Sequence, residues 1–130
     1  MKQYYAEDHY QFSEANGGAL THLLKNPTLG RVWLIMLDDL AVGYMVLAFG
    51  YSLEFQGRDA FVDEIFIERA HRGKGIGAHA MKILEDACRE LGVHALHLEV
   101  ERHKPAALGL YRKCGFEDHE RYVMTKRIVK

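Results

Sequence analysis

The chain has 130 residues, enough for one domain with a real core and too few for two, and its net charge of -1 offers no general attraction for nucleic acid or an anionic membrane surface. Hydrophobic residues at 48% and charged residues at 27% are ordinary globular usage, so any basic patch must be local. No apolar stretch approaches the roughly 20 residues that span a bilayer, and the opening MKQYYAEDHY lacks the apolar centre of a signal peptide, so a single cytoplasmic domain over residues 1–130 is expected.

In chain order, Phe12, Ala15, Ala19, Leu20, Leu23 and Leu24 recur at helical steps and predict a helix over about 7–25, weakened by Gly17-Gly18. RVWLIML and AVGYMVLAFGY, around a short acidic turn, predict an antiparallel hairpin, and SLEFQGRD a loop or second turn. FVDEIFI, residues 61–67, reads as a strand with two adjacent acids in it. A helix follows over 73–91, with Ile76, Ala80, Ile83, Leu84, Ala87 and Leu91 on one stripe and Gly92 as its stop. HALHLEV, residues 94–100, reads as a strand with Leu96, Leu98 and Val100 on one face. Pro105 opens a short helix to about Cys114 that Gly115 closes, and two last strands are expected near Phe116 and over RYVMTKRI. Cys88 and Cys114 lack metal-type spacing and are expected to be reduced. His94 and His97 fall on opposite faces of a strand, and no metal is assigned.

Between the strand at 61–67 and the next helix lies RAHRGKGIG, whose Gly73, Gly75 and Gly77 sit beside Arg72 and Lys74. A helix N-terminus presents unpaired N–H groups and about half a positive charge, and glycines let backbone approach an anion, so this corner is a candidate phosphate site. A P-loop is excluded, because GKGIGAHA has no Ser or Thr after its Gly-Lys to bind magnesium. A dinucleotide fold is a rival, with Glu99 standing 22 residues after Gly77 where a ribose-binding acid would be, but the upstream half is an antiparallel meander.

Arg72-Gly73-Lys74-Gly75-Ile76-Gly77 resembles the Arg/Gln-x-x-Gly-x-Gly/Ala signature of the GCN5-related N-acetyltransferase (GNAT) superfamily. LEV…ALGLYRKCGF, residues 98–116, resembles that family's second conserved stretch, and the likeness runs from about Leu29 to Ile128. The resemblance implies an α/β (α+β) fold: a mixed, mostly antiparallel sheet with a central splayed pair of parallel strands, flanked by helices. The family's first strand has no apolar run to form it ahead of Glu7, which would leave RVWLIML at an edge and a homodimer open as a mode of association.

It further implies acetyl-coenzyme A as co-substrate and a primary amine of a small molecule or peptide as acceptor, reacting by direct attack in a ternary complex. Backbone groups of Ile65, Phe66 and Ile67 would hold the pantetheine arm and meet the developing charge on the acyl oxygen. The segment Arg72, Gly73, Lys74, Gly75, Ile76, Gly77 would hold the diphosphate. The family's pantetheine-binding Asn, seven residues before the Tyr, is Lys104 here, which leaves that contact in question. Tyr111 matches the general acid for the leaving thiolate, and Glu64 and Glu99 are both candidate bases, with Asp63 a third acid nearby over which Glu64 is favoured. A non-catalytic module that binds acetyl-coenzyme A as a sensor ligand is the alternative.

Overall fold

The computed structural model describes residues 14–129. Among the described residues helix α1 (Glu14–Lys25) is the first element, so the expected helix is present from Glu14 on, while residues 7–13 lie outside the described residues. Asn26 ends it by donating from Nδ2 to the His22 carbonyl at 2.7 Å. Strands β1 (Gly30–Leu37) and β2 (Leu40–Ser52) form the expected hairpin. A turn at 53–56 then leads into β3 (Gly57–Ile67), which begins before the apolar run because its ladder with β2 continues through polar residues to the pair Ser52–Gly57.

Helix α2 (Ile76–Glu90) starts three positions after the expected boundary at Gly73, since Gly73 and Gly75 both take left-handed φ values. Strand β4 (Ala95–Leu98) is shorter than HALHLEV, and α3 (Pro105–Lys113) opens at its proline as expected.

The sheet runs β1-β2-β3-β4, antiparallel except for the last pair, β3 with β4. A single parallel pair in a meander is not the sheet of a dinucleotide fold, which corrects that rival reading. On one face, Met45, Leu47, Ala60 and Val62 pack beneath Ala80, Met81, Leu84 and Cys88 of α2. The helix is rotated from its expected stripe: Met81 and Cys88 face inward, while Ile83 is 48% exposed. On the other face Tyr44, Val46 and Phe66 pack with Leu23 of α1 and with Val32.

The last two expected strands are not formed: residues 116–129 carry no regular secondary structure. Their β-prone side chains find no ladder among the described residues, and Tyr122, Val123, Met124, Ile128 and Val129 stay exposed. Glu120 takes a left-handed φ of 54° and breaks the extended path, while Arg121 is tied to Glu54 of the β2–β3 turn by two hydrogen bonds of 3.1 and 3.2 Å. Among the described residues no helix is long and apolar enough to cross a membrane.

Candidate active site

Strands β3 and β4 pair over four residues, from Asp59–Ala95 to Val62–Leu98, and there the pairing stops. At that point β3 carries a bulge: Leu47 pairs Val62 but its neighbour Val46 pairs Glu64, so Asp63 is the extra residue. The bulge resets the alternation of the strand. Without it, Glu64 would share Val62's face and bring a carboxylate into the apolar layer under α2; with it, Glu64 joins Val46 and Phe66 on the opposite face. Glu64 is 9% exposed there, whereas Asp63 is exposed. Glu99, one residue past the end of β4, is exposed as well.

Beyond the bulge β3 continues to Ile67 with, among the described residues, only β2 paired to it, leaving an open backbone edge toward β4. The N–H of Glu68 donates to the Val42 carbonyl at 2.8 Å, so Glu68, Phe66 and Glu64 turn their backbone groups to β2, and Ile67 and Ile65 turn theirs to the open edge. Phe66, expected to contribute backbone, instead has its ring buried 5.8 Å from that of Tyr44.

A 3₁₀ turn (Arg69–His71) then leads into the glycine corner. Gly75 caps α2 with φ 81°, and no side chain serves as cap. Among the described residues the N–H groups of 73–78 find no backbone acceptor; the first N–H of this stretch to be bonded is that of His79, to Gly75 at 3.1 Å. A Cβ at Gly73 or Gly75 would meet nothing within 4 Å, so the space over these donors is open. Nδ1 of His71, just before the corner, is buried without a hydrogen-bond partner among the described residues. Open donors, open space and a buried nitrogen awaiting a partner fit a bound diphosphate. Lys74 is exposed at the corner, but Arg72 is engaged elsewhere: its Nε donates to the Ile67 carbonyl at 2.7 Å and its guanidinium stands 5.5 Å from the centre of the Phe66 ring. It braces the corner to the end of β3.

Helix α3 is docked at the same place, since a Cβ at Gly77 would stand 3.4 Å from Cδ1 of Ile67 and from Cδ2 of Leu110. Strand end, helix start and α3 therefore meet next to Tyr111. The Tyr111 phenol is half-buried, and burial, with a smaller push from Cys114 and an opposing pull from Lys104, raises its pKa above the ordinary 10.0. Lys104 lies at the head of α3 with Nζ 3.8 Å from Glu101.

Sequence reading missed one pair altogether. His97 on β4 bonds Asp59 on β3 at 3.1 Å through Nε2, with its ring between Phe55 and Phe61 at 5.1 and 4.9 Å. The alternation of HALHLEV places His97 on the face away from α2, but its partner lies 38 residues back and has no local signal.

The acetyltransferase (GNAT) family model matches residues 1–116. The chain belongs to that family. Among GNAT relatives it is 31% identical over 77 residues to thialysine N-epsilon-acetyltransferase of Bos taurus, covering 59% of this chain and 45% of the relative. It is 31% identical over 97 residues to IAA acetyltransferase of Azospirillum brasilense, covering 75% of this chain and 63% of the relative. The chain thus spans about half the length of the curated relatives it matches. An integron cassette protein from the mobile metagenome of Cole Harbour salt marsh has a solved structure that superposes with a TM-score of 0.88 at 36% identity, covering 100% of this chain and 81% of that one.

Proposed function

We propose that this GNAT chain transfers the acetyl group of acetyl-coenzyme A to a primary amine of a small molecule or peptide. The observation that carries the reading is the continuity of the open β3 edge, the backbone groups of Ile65 and the N–H of Ile67, with the unpaired N–H groups of 73–78. An extended, amide-bearing arm fits the first and a diphosphate the second. The names of two relatives, thialysine N-epsilon-acetyltransferase and IAA acetyltransferase, support acetyl transfer.

Acetyl-coenzyme A supplies an acyl group activated as a thioester. Glu64 takes a proton from the acceptor, whose ammonium has an ordinary pKa near 10.4 and is otherwise unreactive at neutral pH. The freed amine forms the C–N bond as the C–S bond breaks, and Tyr111 gives its proton to the departing sulfur. Glu64 returns its proton to water, and the second proton leaves the newly acylated nitrogen and restores Tyr111 through water, so that ammonium and thioester become amide, thiol and one released proton. The raised pKa of Tyr111 keeps the phenol protonated for this step. Glu64 is favoured over Glu99 because it is the buried one, where a charge acts with less screening.

Thiol release from acetyl-coenzyme A, measured across a panel of primary amines, tests the reading. Amine-dependent release with an equal amount of acetylated amine is expected. Binding of acetyl-coenzyme A with no amine-dependent release from any acceptor would contradict transfer and leave the sensor reading.

A further inference from the structure

Strand β4 is held by the shortest ladder of the sheet. Among the described residues it lies at the edge of the order β1-β2-β3-β4 and pairs with β3 over only four residues, Asp59–Ala95 to Val62–Leu98. A side-chain bond reinforces this ladder: Nε2 of His97 and Oδ2 of Asp59 stand 3.1 Å apart and join the strands diagonally on the face away from α2. A carboxylate only accepts, so Nε2 carries the proton. The two side chains are 20% and 14% exposed, and the rings of Phe55 and Phe61 flank the imidazole, so water competes little for the bond. Phe55 is fixed in turn, since His94 bonds its carbonyl through Nδ1 at 3.2 Å.

This bond sits at the base of the cleft. His97 pairs directly with Phe61, one position before the last pair, and Phe61 shares its face with Glu64, the next residue of β3 on that side once the bulge is counted. With the diphosphate on the N–H groups of 73–78 and the arm on the backbone groups of Ile65 and the N–H of Ile67, the thioester, at the far end of the arm, would come beside Glu64 where the strands part. The acyl chain would then point into the narrowing angle between them. The floor of that angle is the Val62–Leu98 pair toward α2 and the Phe61–His97 pair on the Glu64 face.

Resting on the coenzyme placement above, we infer that the His97–Asp59 bond is a latch that sets the length of the acyl chain. By holding β4 against β3 at the floor of the cleft, it leaves room for an acetyl group and excludes propionyl and longer chains. Each added methylene would have to force the edge strand outward against the four ladder pairs and this bond. His97 and Asp59 are therefore positioning residues, which act through the spacing of the strands and touch no reacting atom.

The test is calorimetric titration of the full chain with coenzyme A and with its acetyl, propionyl and butyryl thioesters. The wild type is expected to bind the acetyl form about tenfold or more tighter than the propionyl form, the low end of what one methylene is worth in a fitted pocket. Asp59→Ala removes the acceptor of the bond, and His97→Phe keeps a ring between Phe55 and Phe61 while removing the donor. Both are expected to shrink the acetyl-to-propionyl ratio several-fold, with binding of coenzyme A itself little changed. Asp59→Asn, whose amide oxygen still accepts from Nε2, is expected to keep the wild-type ratio.

A wild-type ratio near one, a ratio unchanged in both Asp59→Ala and His97→Phe, or a ratio lost as fully in Asp59→Asn as in Asp59→Ala overturns the latch. So does an equal loss of affinity for all four ligands that follows the melting temperature, the mark of a merely structural bond. Failure of the coenzyme placement reads differently: coenzyme A itself then fails to bind the wild type, and the latch falls with it.

Discussion

Tyr111 and Phe116 are held together twice, by a 3.0 Å hydrogen bond from the Phe116 N–H to the Tyr111 carbonyl and by an edge-to-face contact of their rings at 6.0 Å. With the bond from the Gly115 N–H to Arg112, also 3.0 Å, this is a Schellman ending of α3 with its accompanying apolar contact. The motif that stops the helix thus also sets the position of the proposed general acid. Tyr111→Phe keeps the ring contact and removes only the hydroxyl. The expected result is a fall in kcat of about 10²–10⁴-fold with acetyl-coenzyme A affinity nearly unchanged, read by single-turnover kinetics and calorimetry.

Gly115 makes that ending possible, since its φ is 95° and no atom lies within 4 Å of where a Cβ would stand. The penalty for Gly115→Ala is therefore conformational, about 1–2 kcal/mol. Chemical denaturation is expected to show this loss, and kcat to fall with it as Tyr111 loses its fixed position.

The pH dependence of Tyr111 has a definite sign. Its folded pKa is raised, so the stability contributed by the neutral phenol is fully present below the unfolded value of 10.0 and is lost as pH climbs through the folded value. Phenolate absorbance of the wild type minus that of Tyr111→Phe is expected to titrate above 10.0. The loss of transfer rate at high pH follows the same limb.

Glu64 and Glu99 separate by burial. Glu64→Gln is expected to lower kcat by about 10²–10⁴-fold at neutral pH, with a smaller loss in Glu99→Gln. An acceptor of low amine pKa, already neutral, would recover much of the Glu64→Gln loss, which a merely structural effect would not allow.

Arg72 and the phosphates can be told apart by salt. As a brace between Ile67 and the corner, Arg72 contributes about 0.5–1.5 kcal/mol to stability, and Arg72→Ala weakens coenzyme binding by loosening the loop. Wild type and variant are then expected to lose affinity in parallel as ionic strength rises. A shallower salt dependence in the variant would place the guanidinium on the coenzyme instead.

The hairpin, the glycine corner and the Pro105 helix were legible because each is written in local chemistry: alternation, left-handed glycines, a proline at a first turn. The bulge at Asp63 was not, for FVDEIFI alternates plausibly with or without an extra residue and only pairing with Val46 and Leu47 reveals it. The tail misled for the opposite reason. RYVMTKRI has strand-forming side chains, but a strand needs a ladder, and the left-handed Glu120 and the Arg121–Glu54 pair direct this segment elsewhere. Within the site, the basic residues of the corner were visible, yet the inward turn of Arg72 toward Ile67 depends on how the loop closes.

Direct titration with acetyl-coenzyme A, of the wild type and of Gly75→Val, tests the central claim that the β3–α2 corner holds the coenzyme. At φ 81° a valine is strained, and its branched side chain would fill the open space over the N–H groups of 73–78. Saturable binding to the wild type, no comparable binding of NAD, and a loss of affinity of about tenfold or more in a folded Gly75→Val protein are expected. Unchanged affinity in that folded variant would contradict it.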